Sequence, residues 1–307
     1  MIGLPGSPPR GADGHAVPDA LDGAITAITA AGCETPRLDA EVLLAHVLGV
    51  SRERLLIDRD LRVSGPSVRL FQDAVRRRAV EREPVAYITG RRGFRHLEVA
   101  VDARVLVPRP ETELLVEVAL ALPAAVSVLD LGTGSGAVAL ALKQERPDLI
   151  VTGSDVSPGA LEVAAANARR LGLDVDWLSA DLLAGVPEAF DAVLSNPPYI
   201  ADSQRVGLAP EILRHEPPGA LFAGHDGLDV IRALLAQLTE RSRVSLLALE
   251  VGAGQADAVA ELVRCAGFPL TRAEPDLAGI PRVIVARRQP VDVKDGHISL
   301  PRDGPRA

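Results

Sequence analysis

A chain of 307 residues, 47% of them apolar, can bury one α/β domain of about 190 residues with a smaller module beside it. A formal charge of −8 argues against a general nucleic-acid binder, which is basic overall. No uninterrupted apolar run approaches the roughly 20 residues of a membrane-spanning helix, so a soluble protein is expected. Residues 1–18 are rich in Gly and Pro and are expected to be poorly ordered. Pro5, Pro8 and Pro9 interrupt the apolar residues there, and no basic region followed by a continuous apolar core marks a secretion signal. Residues 19–83 carry helical stripes: Leu21, Ile25 and Ile28; Leu38, Val42, Leu43 and Val47; Val68, Phe71 and Val75. They predict a small helix bundle. Arg76, Arg77 and Arg78 with Arg82 read as a solvated helix face, or as a patch for an acidic protein or ribosomal RNA. Residues 84–107 alternate and contain Gly90 and Gly93, the pattern of a β-hairpin linker. Cys33 and Cys265 show no metal-ligand spacing and read as buried small hydrophobes in a reducing compartment; no metal is expected.

From residue 108 to 288 strands and helices alternate. Pro108-Arg109-Pro110 precedes a helix from Glu111 to Leu122. The run Val126–Leu131 is a strand that breaks into Gly132-Thr133-Gly134-Ser135-Gly136, after which Ala137–Gln144 resumes a helical pattern. The next strand, Leu149–Gly153, ends at Ser154-Asp155, and a helix begins near Pro158. A third strand ends at Ala180-Asp181-Leu182, and a fourth, Phe190–Ser195, ends at Asn196-Pro197-Pro198-Tyr199. Residues 201–227 are irregular and polar, and contain His215-Glu216-Pro217, which reads as a local ion pair. A helix from Leu228 to Glu240, a strand Val244–Val251, a helix from about Gln255 to Ala266 and an antiparallel strand Arg282–Arg287 complete the pattern, followed by a flexible tail, 289–307. The fold class is α/β, a Rossmann-like sheet with an N-terminal helical bundle.

Glycines at alternate positions let backbone approach a ligand and leave N–H groups near a helix start exposed. The spacing G-x-G-x-G differs from the G-x-G-x-x-G of a dinucleotide site. An acid about 20 residues beyond such a loop, Asp155, can accept both ribose hydroxyls, or it can simply cap the following helix. Asp181 can meet an adenine amino group, or be a solvated loop acid. Two consecutive prolines end the fourth strand, placing Asn196 at the carboxyl edge where open α/β sheets bind ligands. There its side-chain oxygen and the Pro197 carbonyl can accept both hydrogens of a planar NH2 group, with Tyr199 over its flat face. The alternative is a rigid Pro turn with Asn as a local cap.

The order of these four strand ends resembles the class I S-adenosylmethionine-dependent methyltransferases. With Leu106-Val107-Pro108-Arg109-Pro110-Glu111-Thr112-Glu113, D-L-G-T-G-S-G and N-P-P-Y-I, the chain resembles the protein-(glutamine-N5) methyltransferase family that modifies peptide chain release factors. The likeness extends to Arg37–Leu44, Pro84–Gly90, His215-Glu216-Pro217 and Leu249–Gly252, from about residue 20 to about residue 288. It implies that the bundle grips the release factor. It implies that Gly132, Thr133, Gly134, Ser135 and Gly136 approach the methionine part of S-adenosylmethionine, that Asp155 meets the ribose, that Asp181 and Leu182 lie at the adenine, and that Phe94 lies beside the cofactor. Gly93 stands where relatives carry an acid, and Leu182 where some carry an aromatic. Asn196, Pro197, Pro198 and Tyr199 would hold the substrate amide and present its nitrogen to the methyl, so position and field, more than a general base, drive the transfer. A cytoplasmic monomer with no stable nucleic-acid binding is expected. Two rivals stay open at this point: an adenine-N6 nucleic-acid methyltransferase, whose flipped base fits N-P-P-Y equally, and a non-catalytic S-adenosylmethionine-binding partner.

Overall fold

The computed structural model describes residues 14–58 and 60–288 and the backbone of two paired strands, Val293–Lys294 and His297–Ile298. The expected flexible tail, 289–307, lies outside the described residues except for that pair. Most of the expected disordered N-terminus also lies outside them. Its last five residues do not conform to it, since β1 (Gly14–Ala16) pairs with β2 (Arg62–Ser64) and a helix begins at Val17. The chain divides into two units: residues up to Thr89 together with Pro210–His215, and Gly90–Ala209 together with the chain from Glu216 onward.

In the first unit, α1 (Val17–Ala30), α2 (Pro36–Leu48), α3 (Arg52–Ile57), α4 (Pro66–Ala79) and α5 (Val85–Thr89) surround a core that includes Leu21, Ile28, Leu43, Leu44 and Phe71. Proline in the first turn of α1, α2 and α4 has the helical φ already set and lacks only an N–H that would have no partner there. Where an extended hairpin strand was expected, α5 is helical. Pro84 opens the turn, its carbonyl accepts from the Tyr87 N–H at 2.9 Å, and Ala86, Tyr87 and Ile88 are buried in succession. The arginine cluster is a correction too. Arg78 Nε donates to Asp39 Oδ2 at 2.7 Å, Arg78 and Arg82 both bind Glu211 of the segment Pro210–His215, Arg77 binds Glu83, and Arg76 binds Asp73 and Glu81. Buried guanidinium groups require such partners, so Arg78 and Arg82 are held within the unit, whereas Arg76 is exposed, as a solvated helix face has it, and is ringed by acids.

The second unit opens with the hairpin β3 (Arg91–Phe94) and β4 (Leu97–Ala100), so the expected hairpin begins after Gly90. A 3-10 turn, Pro110–Thr112, leads into α6 (Glu113–Leu120). Then come β5 (Ser127–Leu131), α7 (Ala137–Glu145), β6 (Ile150–Asp155), α8 (Pro158–Leu171), β7 (Asp176–Ser179) and β8 (Ala192–Ser195). After α9, which is the Pro210–His215 segment of the first unit, follow α10 (Asp229–Leu238), β9 (Leu246–Glu250), α11 (Ala256–Cys265), β10 (Leu270–Pro275) and β11 (Pro281–Arg287). The sheet order is β10-β11-β9-β8-β5-β6-β7, with β11 antiparallel between β9 and β10 and the other pairs parallel. Counted from β5 as strand one, this is 3-2-1-4-5-7-6. β8 and β9 are buried at every position because helices cover both faces of a parallel sheet. Leu129, Val193, Leu247 and Leu249 pack with Ile231, Leu234 and Leu238 of α10. Edge strand β10 was not anticipated: Arg272, Glu274 and Pro275 hide its pattern, as charges and proline do on exposed edges. Cys33 is buried, but Cys265, on the outer side of α11, is exposed.

The strand order reverses at β5, which lies between β6 and β8. A crevice opens at such a reversal, outside the carboxyl ends of the strands.

Candidate active site

The loop after β5 is left-handed at Gly132 (φ 73°), Gly134 (φ 55°) and Gly136 (φ 80°), a conformation that side chains with a Cβ rarely adopt. The Gly132 and Thr133 N–H groups both donate to the Ser154 carbonyl at 2.8 Å, fastening the loop to β6. Beneath it, Thr133 Oγ1 donates to Asp130 Oδ2 at 2.6 Å and the Ala139 N–H donates to the same oxygen at 3.1 Å. Burial pushes the Asp130 carboxyl up to about 6. Apart from the adjoining residues of the chain, no atom lies within 4 Å of where a Cβ on Gly132 or Gly134 would stand, so backbone and open space meet there. The Thr133 hydroxyl hydrogen is engaged with Asp130, so this side chain has none left to donate to a ligand.

Asp155 ends β6 with Oδ2 accepting from the Gly134 N–H and Oδ1 from the Ser157 N–H, both at 2.9 Å. The cap of α8 is Ser157, whose Oγ accepts from the Ala160 N–H. Asp155 therefore shapes the loop, and each of its oxygens keeps a lone pair for a further donor. These groups border a cleft of ≈ 740 Å³ lined by Gly132, Thr133, Gly134, Ser135, Asp155, Asp181, Leu182, Asn196, Pro197 and Pro198. Thr112, Pro217 and Gln237 also line it; the first two lie in segments that carry the family resemblance but were given no role in the site, and Gln237 was not singled out. Gly136 is not part of the wall: a Cβ there would lie 3.0 Å from Trp177 Cη2 and 3.1 Å from Leu140 Cδ1, so this glycine serves close packing under the loop. Phe94 is also outside the wall, since it is 1% exposed and closes the β3–β4 hairpin opposite Leu97.

At the end of β8, Ser195 Oγ donates to the Leu131 carbonyl at 2.8 Å, tying β8 to β5. Asn196 Nδ2 donates to Thr112 Oγ1 at 3.1 Å, and Thr112 Oγ1 donates to Glu250 Oε2 at 2.6 Å. The Tyr199 hydroxyl donates to the other oxygen, Glu250 Oε1, at 3.2 Å. Tyr199 thus sits behind the wall, not over the cleft. Its carbonyl accepts from Gln255 Nε2 at 3.0 Å, and a Cβ on Gly252 would come within 3.2 Å of its ring. Glu250 is 1% exposed; burial pushes its carboxyl up to about 7, against the hydrogen bonds from Thr112 and Tyr199 that favour the ionised form. Burial, then the nearby Glu250, raises the Tyr199 phenol above its ordinary value. His215 and Glu216 do not pair with each other: His215 Nε2 is 2.8 Å from the Glu81 carbonyl, and Glu216 takes Arg109 at 2.7 Å on both oxygens.

The PrmC N-terminal domain family matches residues 19–90, and the Methyltransferase small domain family matches residues 110–224. A release factor glutamine methyltransferase of Rhodospirillum rubrum is 42% identical over 296 residues, spanning 93% of this chain and 90% of the relative. One from Deinococcus radiodurans is 40% identical over 274 residues, spanning 88% of this chain and 98% of the relative. The chain belongs to the release factor glutamine methyltransferase family. Among solved structures, the hMettl16 catalytic domain in complex with the MAT2A 3'UTR hairpin 6 matches with a TM-score of 0.50 at 13% identity, covering 78% of this chain and 85% of that one. At such identity the likeness speaks to the fold alone, the Rossmann-like sheet of class I methyltransferases. In this chain residues 132–135 of the glycine loop, Asp155, Asp181 and Asn196-Pro197-Pro198 border the same cleft. Thr112 joins them on the lining, with Glu250 bonded behind it, from segments whose roles were not read from the sequence.

Proposed function

We propose that this chain transfers the methyl group of S-adenosylmethionine to the side-chain amide nitrogen (N5) of the glutamine in the GGQ loop of peptide chain release factors. The observation that carries this reading is the orientation of Asn196. Its Nδ2 is committed to Thr112, so Oδ1 is the half left to accept from an amide NH2 in the cleft that the glycine loop also lines. The residues present suit the cofactor: an open backbone at Gly132 and Gly134 for its methionine part, with Ser135 beside it, Asp155 for the ribose, and Asp181 with Leu182 for the adenine. When bound, S-adenosylmethionine supplies a methyl group already activated on a sulfonium.

The protein's own contribution is placement. Asn196 Oδ1 and the Pro197 carbonyl accept the two amide hydrogens and turn the nitrogen toward the cleft, and they stabilise positive charge growing there. Pro198 stiffens the turn, and Tyr199 braces it through Glu250. The N-terminal bundle supplies the grip on the release factor. The pairing of Arg77, Arg78 and Arg82 with acids of the same unit supports a protein target over stable nucleic-acid binding. Among the described residues no helix is long and apolar enough to cross a membrane. We take the protein to act as a monomer in the cytoplasm, which sedimentation and fractionation test directly.

The deciding experiment follows labelled methyl into purified release factor, a variant factor with the loop glutamine replaced by alanine, and adenine-containing DNA and RNA. Label is expected on the factor alone and only with its glutamine. Label on nucleic acid overturns the reading in favour of adenine chemistry; no label anywhere leaves a non-catalytic partner.

A further inference from the structure

Thr112 stands between two segments far apart in sequence, 84 residues from Asn196 and 138 from Glu250. Its hydroxyl has one hydrogen and two lone pairs. An ionised carboxylate can only accept, so at 2.6 Å from Glu250 Oε2 the Thr112 hydrogen goes to Glu250. That leaves Thr112 Oγ1 as an acceptor, and the only half of the Asn196 side chain able to meet it is the NH2 group, at 3.1 Å. The carboxylate thereby decides which way round the Asn196 amide sits, although it does not line the cleft. Its second oxygen takes the one hydrogen of the Tyr199 hydroxyl, three residues further along the same turn. Hydrogen bonds to a buried carboxylate are shorter and stronger than neutral ones, and Glu250 is 1% exposed.

We propose that Glu250 is a positioning residue for methyl transfer, acting through Thr112 to hold the Asn196 amide oxygen toward the substrate nitrogen and through Tyr199 to hold the N-P-P-Y turn. This rests on the glutamine-amide reading above. Charge at residue 250 sets the polarity of the chain of hydrogen bonds. A glutamine there brings an NH2 group. Turned to Thr112, that group donates where the carboxylate accepted, so the Thr112 hydrogen points at Asn196 and favours the amide with its oxygen turned inward. Valine at position 112 removes the relay with little change of shape, and serine keeps it.

The test measures initial rates of labelled methyl transfer to release factor, cofactor affinity by calorimetry and thermal midpoints for Thr112→Val, Thr112→Ser and Glu250→Gln, and for Thr112→Val combined with Asn196→Ala. Thr112→Val and Glu250→Gln are expected to lower kcat by about 10- to 100-fold while cofactor Kd stays within about threefold. Thr112→Ser is expected to recover kcat to within about threefold of wild type. Once Asn196 is alanine, Thr112→Val should change the rate by less than about twofold, because residues acting as one unit are not additive. An undiminished kcat in Thr112→Val, or losses that multiply with Asn196→Ala, overturns the relay. So do equal losses of cofactor binding and thermal midpoint, which would make Thr112 merely structural. A second readout does not need turnover: the side-chain NH2 of Asn196, observed by NMR, should show one protected proton in wild type and Thr112→Ser and none in Thr112→Val. Wild type that leaves release factor unlabelled defeats the glutamine reading, and the NMR result still decides the relay.

Discussion

At Asn196 the amide nitrogen is tied down and the oxygen is left to accept, whereas both oxygens of Asp155 already receive backbone N–H groups from the glycine loop and the start of α8. Substitutions at the two positions should therefore fail differently. Asn196→Ala is expected to lower kcat by about 100-fold or more with cofactor Kd within several-fold, since it removes an interaction that strengthens as charge develops. Asp155→Ala should weaken the cofactor by about 10- to 100-fold, since it would lose the proposed ribose contact and frees the Gly134 N–H together. Calorimetry beside turnover separates the two; equal loss of cofactor affinity in both variants would undo the assignment.

Glu250 offers a test by pH. Its folded value is raised to about 7 by burial, with Glu111 adding to the rise and Thr112, Tyr199 and Arg282 opposing it. The relay needs the carboxylate, so kcat should rise with pH through about 7, and Glu250→Gln should lack that limb. Stability runs the other way. A carboxyl that holds its proton more tightly when folded contributes stability below its unfolded value, and this is lost as pH climbs through the folded one. The thermal midpoint of wild type relative to Glu250→Gln should therefore fall between about pH 4.5 and pH 7, by on the order of 3 kcal/mol in stability. Comparison with the variant is needed because Asp130, raised to about 6, pulls in the same direction.

Among elements, the strand–loop–helix around Gly132–Gly136 could be read from neighbouring residues alone: an apolar run, alternating glycines and an Ala/Leu helix. What each glycine is for could not. Gly132 and Gly134 border open cleft, but Gly136 is closed in by Trp177, Leu140 and Ala164 at 3.0–3.2 Å from an added Cβ, on top of its φ of 80°. Gly136→Ala is expected to destabilise the fold by about 2 kcal/mol in chemical denaturation, from backbone strain and overpacking together. Elements whose burial depends on a distant partner were harder to read. Residues 85–89 alternate weakly enough to pass for strand, and it is packing in the bundle that makes them a helix. β10 carries its charges outward on a sheet edge, so no alternation of apolar residues marks it.

Across the whole molecule, the arginines of α4 show how composition misleads without contacts. Three successive arginines look like a solvated or docking face, yet Arg78 is buried between Asp39 and Glu211, a partner 133 residues away. Removing Arg78 takes away the cation paired with buried Asp39 and leaves Glu211 with Arg82 alone. Arg78→Ala should cost about 3–5 kcal/mol of stability in the N-terminal unit, followed by denaturant unfolding. A cost near zero would mean that water already screens the cluster. What the chain determined by itself were features written in consecutive residues: the alternation of strands and helices, the glycine loop, the strand-end acids, and Asn196 halted by two prolines. Each rests on local backbone preference or on a short apolar period, so a window of ten residues contains the cause. Only the tertiary structure decided that Thr112 and Glu250 stand behind Asn196, that Tyr199 braces instead of covering, that Phe94 lies away from the cleft, and that Glu216 pairs with Arg109. These are hydrogen bonds and burial between segments brought together by the sheet order. The energy of such contacts depends on distance in space, for which separation along the chain offers no signal.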